Sequence, residues 1–279
     1  MSRYINPYTD FGFKKLFGEE ANKDLLIDFL NAVLPPENKI AHLEFRDSEA
    51  LPDNIVDRKA VFDIACVGES GQSFTVEMQK AKQLFFKDRA LFYSAFPIQR
   101  QAQRGDWNFK LNPVFLVAVL DFEYDEKEER RKIYRLVSLK DQDGDPFSDT
   151  LKMVFLQMPL FTKTESELTT PKDKWLFFLK NLESFEDIPQ ILRVPVFEKA
   201  FATAEYVKYS PAMQEAYQNN LKVYRDNRNV VETAYIDGEA KGRTEGIFEI
   251  ARNMKKDGVD PKTIAKYTGL SPEDIKRLN

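Results

Sequence analysis

Apolar positions along the chain fall into two periods. From Asp10 to Leu34, the residues Phe11, Phe13, Leu16, Phe17, Leu25, Leu26, Phe29, Leu30, Val33 and Leu34 recur at helical spacing, with Asp10 placed to cap the segment and Pro35-Pro36 to end it. Extended patterns follow. The stretch Ile40 to Leu51 reads as a first strand, and Ala60–Val67 and Gln72–Gln79 read as a hairpin closed by Gly68-Glu69-Ser70-Gly71. Residues Phe86 to Arg104 read as a helix kinked near Pro97. Pro113 to Phe122 has no polar face between Val114 and Leu120, the pattern of a strand buried on both sides. After a solvated charged turn, Asp125 to Lys132, come strands at Ile133–Leu139 and Met153–Leu160 and a helix near Lys172–Phe185. This order predicts an α/β sandwich around a mixed sheet.

Beyond about Ile188 the pattern is helical only, from Val196 onward. Gly238, Gly242 and Gly246 recur every fourth residue, which fits either a small-residue stripe on a helix or a flexible hinge. Pro261 to Leu278 reads as two short helices joined at Thr268-Gly269-Leu270, with Ser271 as N-cap and Pro272 at the first helical position. Such a pair fits part of a helix-turn-helix or a packing element. The expected organisation is a first domain over 1–188, a helical extension over 189–237 and a small C-terminal helical segment over 238–279.

Composition narrows the chemistry. The 279 residues include 23 Phe, enough aromatic mass for a sizeable core, which excludes disorder throughout. The longest apolar run, Val114 to Leu120, is far short of the roughly 20 residues of a membrane helix, and the polar start lacks a secretory signal. A cytoplasmic protein without a membrane partner is expected. Cys66, the single cysteine, excludes a disulfide framework and is expected as a buried, inert thiol. With His42 as the only histidine, His-rich metal sites are excluded. No GxxxxGK[ST] and no GxGxxG is present. Chemistry is therefore expected to run on carboxylates.

In the hairpin, alternation puts Phe62, Ile64, Cys66, Phe74, Val76 and Met78 on one face, and Asp63, Thr75, Glu77 and Gln79 on the other. Symmetry about Ser70 sets Asp63 opposite Glu77, two like charges that destabilise each other. A divalent cation such as Mg²⁺, with Mn²⁺ as a substitute, would compensate them, and Gln79 projects beside the pair. A pair of solvated acids on an edge hairpin is the other arrangement the spacing allows. Between Lys80 and Lys110 the chain carries Lys80, Lys82, Lys87, Arg89, Arg100, Arg104 and Lys110 against Asp88 and Asp106, a local surplus of positive charge in a chain of net charge −4. Arg89 and Tyr93, four apart, share a helical face and can both contact phosphate.

Asp63 followed by Glu77-Met78-Gln79 on consecutive strands, with a helix before and a helix bearing Arg89 and Tyr93 after, resembles the PD-(D/E)XK nuclease superfamily. The opening DFGFKKLFG, residues 10 to 18, the Gln79 variant and the tail IAKYTGLSPEDIKRL, residues 264 to 278, resemble more narrowly the PD-(D/E)XK family transposases, or recombination-promoting nucleases. The resemblance implies a restriction-endonuclease-like core and a bacterial, Mg²⁺-dependent DNA endonuclease linked to recombination or mobile elements. It makes Asp63 and Glu77 metal ligands and puts Gln79 where the superfamily has a catalytic lysine. Glutamine supplies neither charge nor a proton, so Lys80 or Lys82 would have to bring the cation. Asp10 is a candidate further acid. Lys80, Lys82, Lys87, Arg89, Tyr93, Arg100 and Arg104 are the expected DNA contacts, and the C-terminal helices the expected surface for self-association. A catalytically silent DNA-binding or assembly protein, and an RNA nuclease, are the competing readings.

Overall fold

The computed structural model describes residues 2–46, 49–50, 60–61, 63–124 and 131–278. Phe62, Leu51 and residues 125–130, on which the expected charged turn falls, lie outside the described residues. The chain packs as two compact units, Met1–Tyr224 and Arg225–Asn279.

The first unit opens with α1 (Asp10–Phe17), capped by Thr9, whose hydroxyl accepts the Gly12 amide. Asp10 is thus in the first turn and is not the cap: the Thr9 side chain holds that position, leaving the Asp10 carboxylate available elsewhere. A side chain at residue 12 would meet the Asn6 carbonyl at 2.2 Å, so only glycine allows the N-terminal segment to lie across α1. The single helix expected over 10–34 is two. Gly18 closes α1 on the Lys14 carbonyl, the Asn22 side chain donates to the Lys15 carbonyl, and α2 restarts at Lys23–Val33.

Among the described residues the strands β1 (Leu43–Arg46), β4 (Ile64–Gly68), β5 (Ser73–Gln79), β6 (Val114–Leu120), β7 (Tyr134–Lys140) and β8 (Pro146–Gln157) form one mixed sheet in the order β1-β4-β5-β6-β8-β7. A separate pair, β2 (Glu49–Ala50) and β3 (Ala60–Val61), is antiparallel. β5 and β6 are parallel, as are β6 and β8; the other pairings in the sheet are antiparallel. β8 starts seven residues earlier than its apolar pattern suggests, because a turn in which Asp141 Oδ1 accepts the amides of Asp143 and Asp145 extends the β7–β8 hairpin through polar residues. It stops before Met158–Leu160, a short 3₁₀ turn.

Alternation along β6 divides the core. Phe115, Val117 and Val119 belong to the large cluster with α1, α2, α4 (Pro171–Asn181) and α5 (Pro195–Ala204), where fully buried Trp175 packs against Phe17, Phe29, Phe178 and Phe197. Leu116, Ala118 and Leu120 face the other way, toward Ala90 and Phe86 of α3 (Phe86–Gln99). Cys66 is buried as expected, and burial pushes its thiol up to about 12. The start of α6 (Pro211–Lys256) joins this unit: the Tyr217 hydroxyl accepts the Asn6 amide, and Tyr224 donates to Asp121 at 2.8 Å, just past the end of β6.

In the second unit, the last turns of α6 with α7 (Pro261–Thr268) and α8 (Pro272–Arg277) enclose Ala251, Ile264, Ile275 and Leu278. Ser271 caps α8 by accepting the Asp274 amide, and Gly269 ends α7 with φ +71°. The Lys255 ammonium donates to the carbonyls of Ile275, Lys276 and Leu278, satisfying the end of α8. α6 runs unbroken through Gly238, Gly242 and Gly246, so these glycines do not interrupt the helix.

Candidate nuclease site

The site starts from the register of β4 and β5. Pairing of Ile64 with Val76 and Cys66 with Phe74 is symmetric about residue 70, and one further step sets Asp63 beside Glu77. Asp63 lies just before β4, and its carboxylate accepts the Met78 amide at 2.7 Å, replacing a ladder partner where β4 begins. Glu77 pairs with Ala118 and thus stands on the α3 face of the sheet. The hairpin is internal to the sheet, not an edge, and Glu77 is only 8% exposed. Gln79, two residues on, donates its Nε2 to Glu77 Oε2 at 2.9 Å.

Burial is the first cause of the charge state at this site. It pushes Glu77 up to about 7, reinforced by the negative charge of Asp63 and opposed by the Gln79 hydrogen bond and the Arg89 guanidinium. Asp63 is raised too, by burial first, against the Met78 amide; Asp10 adds to the rise, and Lys14 and Lys80 oppose it. The structure therefore brings Asp63, Glu77, Gln79, Asp10, Lys80 and Arg89 into one electrostatic neighbourhood. Lys14, ion-paired with Asp10 at 3.2 Å, is a member the sequence pattern did not single out; its i,i+4 spacing from Asp10 was the available signal.

The rest of the basic run is spread out. Arg89 lies over the Tyr93 ring, 5.1 Å from its centroid, so these two do share a face. Lys87 turns instead to Tyr124, at 5.0 Å, and exposed Lys82 precedes the helix. The helix ends at Gln99, not Arg104. Arg100 is its C-cap, and Gln101 redirects the chain by exchanging side-chain hydrogen bonds with the Asn112 amide and carbonyl, so Arg104 lies in the following loop. Arg100 is eleven residues, roughly 16 Å, along from Arg89.

Two carboxylates and a carboxamide oxygen form an all-oxygen donor set suited to a hard divalent cation that keeps several waters. Among the described residues no group of three or more His, Cys, Asp or Glu forms a closed cage, so solvent or substrate would complete the shell. No helix among the described residues is long and apolar enough to cross a membrane.

A mixed sheet between helices, with one acid on β5 and a second just before its neighbour β4, is consistent with the class of nuclease-like α/β folds. Residues 7–234 match the model of the PD-(D/E)XK nuclease family transposases, and the chain belongs to that family. Residues 244–279 match the C-terminal HTH domain of the Rpn/YhgA-like nuclease family. No curated protein and no solved structure matches the chain.

Proposed function

We propose that the chain is a divalent-metal-dependent endonuclease that hydrolyses phosphodiester bonds of DNA in the recombination or transposition of mobile elements. The observation that carries the reading is the buried Glu77 carboxylate of β5, bonded by Gln79 at 2.9 Å, with the Asp63 carboxylate fixed on the adjacent Met78 amide. Asp63 and Glu77 would hold Mg²⁺, or Mn²⁺ in its place, and Asp10 is a further acid beside them. The cation would supply charge stabilisation at the phosphodiester. Gln79 positions the Glu77 carboxylate and orients water or substrate, Lys80 and Arg89 offset phosphate charge, and Tyr93 fixes Arg89. Lys82, Lys87, Arg100 and Arg104 extend the contact to neighbouring phosphates.

In this reading residues 1–188 form the nuclease domain, 189–237 a helical extension and 238–279 a DNA-binding helical segment. Self-association through α6 is part of the proposal, supported by exposed Val230, Val231, Tyr235 and Ile236. The protein acts in the cytoplasm. The deciding experiment is plasmid cleavage with Mg²⁺ and with chelator, comparing wild type with Asp63→Ala; an RNA of matched sequence in the same assay separates the two polymers. One observation favours a second reading, a silent DNA-binding protein: Gln79 brings no charge or proton where the superfamily has lysine. Absence of cleavage together with retained DNA binding would select it.

A further inference from the structure

Asp63 has a second surrounding. Besides meeting Glu77, it lines a cavity of about 450 Å³ between α1 and the β1 edge of the sheet, within the size range of small-ligand pockets. Two half-buried aromatic side chains stand on its wall, Phe11 from α1 and Phe45 from β1, and Ile64 and Ala65 also line it. Phe11 is held by Tyr209 and Tyr217, each 5.8 Å away between ring centroids. Phe45 carries the Lys23 ammonium 5.8 Å from its ring centroid.

The charged lining is balanced. Lys14 is committed to Asp10 and Lys15 to Glu19, at 3.2 and 2.8 Å. Arg46 pairs with exposed Glu44 at 3.3 Å, and that pair is open to solvent screening. A site with aromatic walls and a near-neutral lining, one solvent-screened guanidinium and an acid of the proposed metal site at its edge suits a flat ligand with one attached anion. A duplex does not fit such a space; one nucleotide does.

We infer that this cavity receives a single unpaired base of the DNA strand, stacked on Phe45, with its phosphate directed toward Arg46. The inference deepens the nuclease reading and rests on it: the strand would be engaged where it is single-stranded, frayed or has a base turned out of the helix. Stacking on an aromatic side chain tolerates every base, so the site selects for unpairedness and not for sequence.

The test uses the full chain and fluorescence anisotropy with a short oligothymidylate and with a closed hairpin duplex, each with and without Ca²⁺. Wild type should prefer the single strand. Phe45→Ala should weaken single-strand binding about tenfold or more while leaving the duplex within about twofold. Phe45→Trp should keep the affinity, and its indole emission should be quenched as the strand binds. Unchanged single-strand affinity in Phe45→Ala, or no emission change in Phe45→Trp on saturation, overturns the pocket. Ca²⁺ titration calorimetry keeps the two proposals apart. Wild type that binds no Ca²⁺ refutes the metal-dependent reading, whereas intact Ca²⁺ binding with a neutral Phe45→Ala refutes the pocket alone.

Discussion

Gln79 donates a carboxamide hydrogen to Glu77 at 2.9 Å, so a neutral group stabilises the buried carboxylate where a cation would otherwise pair with it. A lysine at this position would pull Glu77 down by charge; glutamine lowers it only by a hydrogen bond and leaves it near 7. Gln79→Lys should therefore preserve or raise cleavage and shift its pH profile to lower pH. Gln79→Ala should cut kcat by about tenfold or more through lost positioning. Equal rates in both variants and wild type would remove Gln79 from the site.

Removing either acid should abolish cleavage and Ca²⁺ binding without unfolding the protein. Asp63→Ala and Glu77→Ala are each expected to lower the Mg²⁺-dependent rate by about 10²-fold or more. Asp63→Ala also orphans the Met78 amide and should cost about 1 kcal/mol in stability, a penalty Glu77→Ala does not share. Urea unfolding in chelator measures that difference.

The raised Glu77 has a definite consequence for pH. Its proton is bound more tightly folded than unfolded, so the metal-free protein should lose stability as pH rises from about 4.5 toward 7 and level off above. The loss amounts to about 3 kcal/mol. Glu77→Gln should remove this part of the profile and be the more stable protein at pH 8 in chelator, as read from Tm across pH. Since a cation competes with that proton, Ca²⁺ affinity in wild type should rise with pH through the same window and flatten above it. A stability difference between wild type and Glu77→Gln that does not vary with pH would contradict the assignment.

Arg89 and Arg104 should separate chemistry from binding. The Arg89 charge is felt at Glu77, so Arg89→Ala should slow cleavage and weaken DNA binding, whereas Arg104→Ala, altered in the loop beyond α3, should weaken binding only. For each phosphate left without its cation, the slope of log affinity against log salt should fall by roughly 0.9. Affinities in Ca²⁺ at several salt concentrations supply the slopes. If both slopes equal that of wild type, the DNA runs elsewhere.

The acid hairpin was legible because its information is local: a four-residue turn with Gly71 at φ +82° fixes the register, and period-two alternation fixes the faces. The α3 face of the sheet was legible through β6, whose unbroken apolar run required cover on both sides. Helix ends were not, because they are decided by side chains that bond backbone groups a propensity pattern does not single out: Thr9 accepts an α1 amide as cap in place of Asp10, Asn22 donates to the Lys15 carbonyl where the first helix is split, and Gln101 bonds the Asn112 backbone just past the end of α3. The Tyr224–Asp121 hydrogen bond joins residues 103 apart, and the cavity beside Asp63 gathers α1, β1 and α6 residues, juxtapositions that no window of sequence contains.

The position of β5 inside the sheet governs how the acids can move. β5 lies between antiparallel β4, which pairs with its residues 73–76, and parallel β6, which pairs with all of 73–79, and the Glu77 and Met78 side chains are buried on opposite faces. Amide hydrogens in such a strand exchange with solvent only through the largest openings of a domain, so the strand that carries Glu77 belongs to the last structure to be lost. Glu77 is then held by the backbone of β5, and Asp63 by its bond to the Met78 amide of the same strand. Any conformational adjustment around the acid pair therefore falls to the segments outside β5, such as the loop that follows α3.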